Sequence, residues 1–196
     1  KLVLGIKAKL TAHGVNIVTG EATVIDKNTV KCGEDTYECE NVLLCAGSDT
    51  FIPPIPGVEE VDYWTHRDAL DNKEVPASLA IVGGGVIGME FASFFCSLGV
   101  KVTVVEYMPQ FMPLLDAEVS AAAERAFRRQ RITVMTDTAV KGVSVVDGKC
   151  AVEVEQKGEA KQIVADKVLS AVGIKSNIEG LNLDKVGVKV ERDKVV

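Results

Sequence analysis

The segment Leu79-Ala80-Ile81-Val82-Gly83-Gly84-Gly85-Val86-Ile87-Gly88 constrains this chain more than any other part of it. A four-residue apolar run leads into a glycine-rich turn of the form G-x-G-x-x-G. A proline-free, largely apolar stretch follows as far as Leu98, and Gly99 stops it. The six-residue pattern is weak by itself. Between a strand and a helix it predicts a βαβ unit whose turn closes around a pyrophosphate. The competing reading is a tight strand–helix turn that holds no ligand.

A second strand, Lys101–Val105, ends on Glu106, which lies 23 positions after Gly83 and 18 after Gly88. That brackets the roughly 20 residues expected before the acid that binds an adenosine ribose. Each glycine has its own reason. Gly83 permits the turn, Gly85 lets a pyrophosphate approach the backbone, and Gly88 lets the helix pack closely on the strand. The first helical N–H groups and the positive end of the helix dipole favour phosphate. A carboxylate at Glu106 repels a 2′-phosphate, and Tyr107-Met108-Pro109 supplies no cation to hold one. NAD is therefore expected rather than NADP, with Gly83, Gly84, Gly85, Val86, Ile87, Gly88, Met89, Glu90 and Glu106 around it. Glu90 stands near the helix start among Met89, Phe91, Phe94 and Phe95. It reads either as a first-turn acid favoured by the dipole or as a buried carboxylate that needs a partner.

The remaining pattern is α/β, with a Rossmann-like parallel sheet and an antiparallel β-meander as crossover. Residues 2–12 predict a helix closed at His13-Gly14. Short strands are expected at Val15–Val18, Ala22–Ile25, Thr29–Cys32, Thr36–Cys39 and Val42–Cys45. A proline-rich connector over 49–75 contains a short helix near Arg67–Leu70, and His66 within it reads as a solvated surface residue. Asp116–Gln130 predicts an amphipathic helix with Ala, Val and Phe inward. Strands follow at Ile132–Met135, Val143–Val146, Cys150–Glu155, Gln162–Val164 and Lys167–Val172. Residues 15–47 and 132–173 repeat one scheme of meander, apolar strand and glycine, but only the second copy is preceded by a βαβ unit. The expected divisions are a partial first domain at 1–48, the connector, a dinucleotide domain at 76–173 and a return segment at 174–196. The lack of an initiator Met suggests cut ends.

The formal charge of −6 argues against nucleic acid and anionic membranes as partners. No run of about 18 apolar residues predicts a membrane span. The five cysteines show neither C-x-x-C nor metal spacing, so no metal is expected. Cys45, Cys96 and Cys150 sit in apolar runs and read as buried reduced thiols of a cytoplasmic protein.

These motifs resemble the pyridine nucleotide–disulfide oxidoreductases over almost the whole chain. The resemblance rests on Asn41–Ser48, Leu79–Glu90, Val104-Val105-Glu106, and Ala171-Val172-Gly173 before Ser176-Asn177. The family's Ala-Thr-Gly stands here as Cys45-Ala46-Gly47, and its Gly-Arg-x-Pro-Asn as Gly173–Asn177 without the arginine. The resemblance implies an oxidoreductase parent with FAD, NAD, central and dimerisation domains, in which a C-x-x-x-x-C disulfide exchanges electrons with the flavin. It places Ala46, Gly47 and Ser48 near FAD, Val140 at the adenine and Gly173 near the nicotinamide ribose. Glu90 matches an acid that pairs with a lysine beside the flavin. It further implies a homodimer serving lipoyl domains of 2-oxo acid dehydrogenase or glycine cleavage complexes, by NAD-linked reoxidation of protein-bound dihydrolipoamide. Mercuric ion reduction, transhydrogenation or a free-standing NAD-binding redox sensor are the alternatives. No C-x-x-x-x-C and no first glycine motif for FAD occur in these 196 residues, so no catalytic residue is assigned and the chain alone is expected to be inactive.

Overall fold

The computed structural model describes residues 2–192 and 194–196. The chain divides into two compact units, one made of residues 1–49 and 176–196, the other of 50–175.

In the first unit, helix α1 (Leu2–Ala12) precedes an antiparallel sheet of β1 (Ala22–Asp26), β2 (Thr29–Cys32) and β3 (Asp35–Glu38). β4 (Ser48–Thr50) leads out of this unit. The turn Asp26-Lys27-Asn28 closes the first hairpin, where the Asp26 carboxylate accepts from the Asn28 N–H at 2.8 Å. Val24 and Leu183 are its buried hydrophobic residues, and none of α1 is buried. The expected strand Val15–Val18 is not formed. Nor is Val42–Cys45, where Leu43 is 86% exposed and Cys45 is exposed. An apolar run becomes a strand only when another strand satisfies its N–H and C=O groups, and none among the described residues pairs with this one.

The second unit is built on a parallel sheet. β5 (Tyr63–Trp64) and α2 (His66–Asp71) lead to β6 (Ser78–Val82), α3 (Val86–Ser97), β7 (Lys101–Val105), α4 (Ala117–Arg129) and β8 (Thr133–Met135). The meander β9 (Thr138–Val146), β10 (Lys149–Gln156) and β11 (Glu159–Ala165) then returns the chain to β12 (Lys167–Ser170), and β13 (Ile174–Ser176) leaves the unit. The sheet order is β5-β12-β6-β7-β8, all parallel. β14 (Val190–Glu191) and β15 (Lys194–Val195) form a terminal hairpin of the first unit.

The continuous apolar run of β6 follows from its being covered on both faces. Leu79 and Ile81 pack with Met89, Ala92 and Phe95 of α3, while Ala80 and Val82 pack with Val143, Val152 and Val154 of the meander. α3 is less enclosed than its sequence suggests, since Phe94 is 55% exposed and Glu90 is exposed. The helix rests on the sheet through one side only, so of the two readings of Glu90 the exposed acid near the helix start is the one formed, and the buried carboxylate is not. In α4, Asp116 caps the N-terminus by accepting from the Glu118 N–H at 2.9 Å. Ala123 and Phe127 pack inward, but Val119 faces out. His66 is half-buried with its Nδ1 2.6 Å from Thr50 Oγ1, not solvated as its place in a connector suggests. Cys150 is buried and Cys96 half-buried.

The ends of β6 and β11 are joined by Asp166. Its carboxylate accepts from the Ser78 N–H at 2.7 Å and the Ser78 hydroxyl at 2.9 Å, and Lys149 Nζ lies at 2.9 Å. The Lys149 and Ser78 contacts favour the ionised form and hold the carboxyl below its ordinary 3.8. A depressed folded-state value gives stability that is present above the unfolded value and lost as pH falls through the folded one. Chemical denaturation should therefore show Asp166→Asn less stable than the unaltered chain at pH 7. The difference should shrink as pH falls below about 4.

Candidate functional site

A cleft of about 590 Å³ opens at the C-terminal ends of β6 and β7, above the N-terminus of α3. Open α/β sheets bind ligands at this place. Its floor is the glycine turn. Gly83 has φ +110°, and a Cβ there would lie 2.4 Å from the Ala171 carbonyl oxygen. A Cβ on Gly88 would lie 2.0 Å from the Gly83 carbonyl oxygen. These two glycines bring α3 against the strand ends. Gly85 differs: nothing lies within 4 Å of a Cβ built on it, and it lines the cleft. The backbone of the turn is therefore open to the cleft at this position. Gly85 is the N-cap of α3 and no side chain caps the helix, so its first N–H groups have no acceptor from within the helix.

Glu106 closes the other side. It is 7% exposed and lines the cleft. Oε2 accepts from the Gly84 N–H and Oε1 from the Met108 N–H, both at 2.7 Å. These bonds offset the cost of burying the carboxylate. Each oxygen keeps a second lone pair that can accept from a ligand hydroxyl.

The structure brings Gly83, Gly85, Val86, Ile87, Glu106, Val140 and Gly173 to this one cleft. Gly84, Gly88 and Met89 are buried beneath it as supports, and Glu90 is not part of its lining. Sequence reasoning missed the apolar wall of Met112, Pro113, Leu114 and Leu115, together with Thr138. Its signal in the sequence was the apolar run Met112-Pro113-Leu114-Leu115 between a strand and a helix. No lysine or arginine lines the cleft.

In the first unit, Ala46 and Gly47 are exposed and lead into half-exposed Ser48 at the start of β4, with Gly47 at φ +72°. The Asn177 N–H donates to the Gly47 carbonyl at 3.0 Å, and Asn177 Nδ2 lies 3.4 Å from the Ala46 carbonyl. Two segments singled out separately in the sequence are thus hydrogen-bonded partners. Among the described residues no group of His, Cys, Asp and Glu could hold a metal ion, and no helix is long and apolar enough to cross a membrane.

The family model for pyridine nucleotide-disulphide oxidoreductase matches residues 1–196. The chain belongs to that family. It is 39% identical to a dihydrolipoyl dehydrogenase of Rhizobium etli, over 97% of this chain and 41% of the relative. It is 34% identical to a mercuric reductase of Staphylococcus aureus, over 90% of this chain and 32% of that protein. The HOCl-induced flavoprotein disulfide reductase RclA from Escherichia coli superposes with TM-score 0.82 at 26% identity, covering 99% of this chain and 45% of that one. The chain thus spans less than half the length of these relatives. The family and the Escherichia coli structure agree with the mixed α/β fold expected from the sequence.

Two glycine variants separate support from contact. Gly88→Ala should lower unfolding stability by about 1–3 kcal/mol, because the Gly83 carbonyl must move. Gly85→Val should leave the unfolding transition within a few degrees while filling the cleft and abolishing dinucleotide binding. Paired thermal melts and binding titrations check both.

Proposed function

We propose that residues 50–175 are the NAD-binding portion of a flavin-dependent disulfide oxidoreductase. The reaction best supported is that of a dihydrolipoyl dehydrogenase, NAD-linked reoxidation of protein-bound dihydrolipoamide. The observation that carries the NAD reading is the Glu106 carboxylate. It is fixed in the cleft beside an open Gly85, with no cation in the lining to hold a 2′-phosphate. In this reading the pyrophosphate lies over Gly85 and the N–H groups of Val86 and Ile87. The adenosine ribose meets Glu106, the adenine lies near Val140, and Gly173 borders the nicotinamide ribose. Bound there, NAD supplies hydride transfer to or from a flavin. This chain's residues fix its orientation and keep water from its apolar side.

FAD is the second cofactor proposed, for the longer parent protein. The Ala46–Ser48 segment, with Gly47 in the left-handed region, suits the edge of its phosphate site. The glycine turn that would hold those phosphates has no counterpart in residues 1–48. Glu90, exposed on α3, is available to a lysine from the flavin side. A homodimeric, cytoplasmic parent acting on lipoyl domains follows from the family resemblance of the sequence and is part of this proposal. Mercuric ion reduction is the second reading, favoured by the Staphylococcus aureus relative.

Calorimetry should give tighter binding of NADH than of NADPH. Glu106→Ala should weaken NADH roughly tenfold or more, as expected for one charged acceptor, and narrow the gap between the two nucleotides. Equal affinities in the unaltered chain would defeat the NAD reading. The 196 residues purified alone should be colourless and show no turnover of dihydrolipoamide with NAD; a yellow preparation or measurable turnover would show that the flavin and redox parts have been misplaced.

A further inference from the structure

Gly84 occupies the unrestricted second position of G-x-G-x-x-G, where the motif asks for no particular residue. Its backbone does not ask for glycine either, since its φ lies outside the left-handed region in which Gly83 sits. An alanine could adopt this conformation. The neighbours are what object. A Cβ on Gly84 would lie 2.9 Å from Cβ of Glu106, 3.2 Å from Oε2 and 3.3 Å from Cγ. Every atom it meets within that range belongs to the one acid that faces the cleft.

The two backbone groups of Gly84 reach the two parts of the ribose side of the cleft. The N–H donates to Glu106 Oε2 at 2.7 Å, and the carbonyl accepts from the Met112 N–H at 3.1 Å. Met112 itself has φ +46° and lines the cleft within the loop that follows Glu106. The other carboxylate oxygen is held by Met108 of the same loop. The Met108 carbonyl accepts from the Asp137 N–H at 3.0 Å. One residue thus sets the direction of the carboxylate and ties down the loop beside it.

The geometry points to Gly84 as a positioning residue for cofactor selectivity. Its missing side chain and its N–H hold Glu106 in the one orientation that presents the free lone pairs to a ribose diol. This rests on the NAD reading proposed above. An alanine at this position displaces the carboxylate without altering the phosphate contacts at Gly85 and the start of α3. It should therefore act on the choice between NADH and NADPH more than on nucleotide binding in general.

The test is a binding cycle on the 196-residue chain, with NADH and NADPH titrated against the unaltered protein, Gly84→Ala, Glu106→Gln and the double variant. Gly84→Ala is expected to weaken NADH roughly tenfold, the effect of one misplaced charged hydrogen bond, and NADPH by much less. With Glu106→Gln already present it should add less than about threefold, because contacting residues that act together are not additive. A folded Gly84→Ala protein with an unchanged NADH-to-NADPH ratio, or independent multiplicative effects, overturns the proposal. Amide spectra of 15N-labelled protein give a ligand-free check that does not depend on Gly84→Ala folding. Glu106→Gln should shift the Gly84 and Met108 amide protons upfield, and an unmoved Gly84 amide refutes the positioning bond. If the unaltered chain binds the two nucleotides equally while the Gly84 amide responds, the contact exists and it is the NAD reading that fails, taking the selectivity role with it.

Discussion

The second unit depends on how closely α3 approaches the end of β6. The Gly83 carbonyl lies where a Cβ of residue 88 would stand. Only with that space empty can the helix start directly above the strand end. That placement aims the uncapped N–H groups of α3 into the cleft rather than along the sheet face. It also seats Met89, Ala92 and Phe95 on Leu79 and Ile81, so the geometry of the turn and the packing of the core are one constraint. A larger residue at 83 or 88 would lift the helix and open both.

The same turn organises charge. A carboxylate that is 7% exposed would ordinarily be costly, yet Glu106 receives two backbone N–H groups. One comes from the glycine turn and the other from its own loop. The acid is therefore held by main-chain atoms, whose positions follow from the sheet and not from the rotamers of neighbouring side chains. Such a site is preorganised: a ligand hydroxyl meets an oriented acceptor and need not order it.

The meander contributes differently. β9, β10 and β11 cover the sheet face opposite the helices, and Ala80, Val82 and Val168 are buried against Val143, Val152 and Val154. Doubly covered strands read as unbroken apolar runs, which is why Leu79–Val82 is legible as a strand. In the first unit the same kind of run, Val42–Cys45, has no strand to pair with among the described residues and stays irregular, with Leu43, Leu44 and Cys45 exposed. Hydrophobicity names a candidate strand, whereas hydrogen-bonding partners decide whether it forms.

The sequence by itself determined the βαβ unit, the three-stranded crossover and the acid at Glu106. These rest on local spacing: glycines at fixed offsets, short apolar runs of strand length, and an acid about 20 residues beyond the first glycine. It also carried the family resemblance that the whole-chain match agrees with. Tertiary structure alone decided which side of α3 is covered, and so that Glu90 is exposed. It decided that His66 lies against Thr50 and that the loop through Met112 and Leu114 walls the cleft. It also decided that Gly84, unremarkable in the motif, touches Glu106. Each of these depends on what a distant segment places beside a residue, and spacing along one chain carries no information about contacts of that kind.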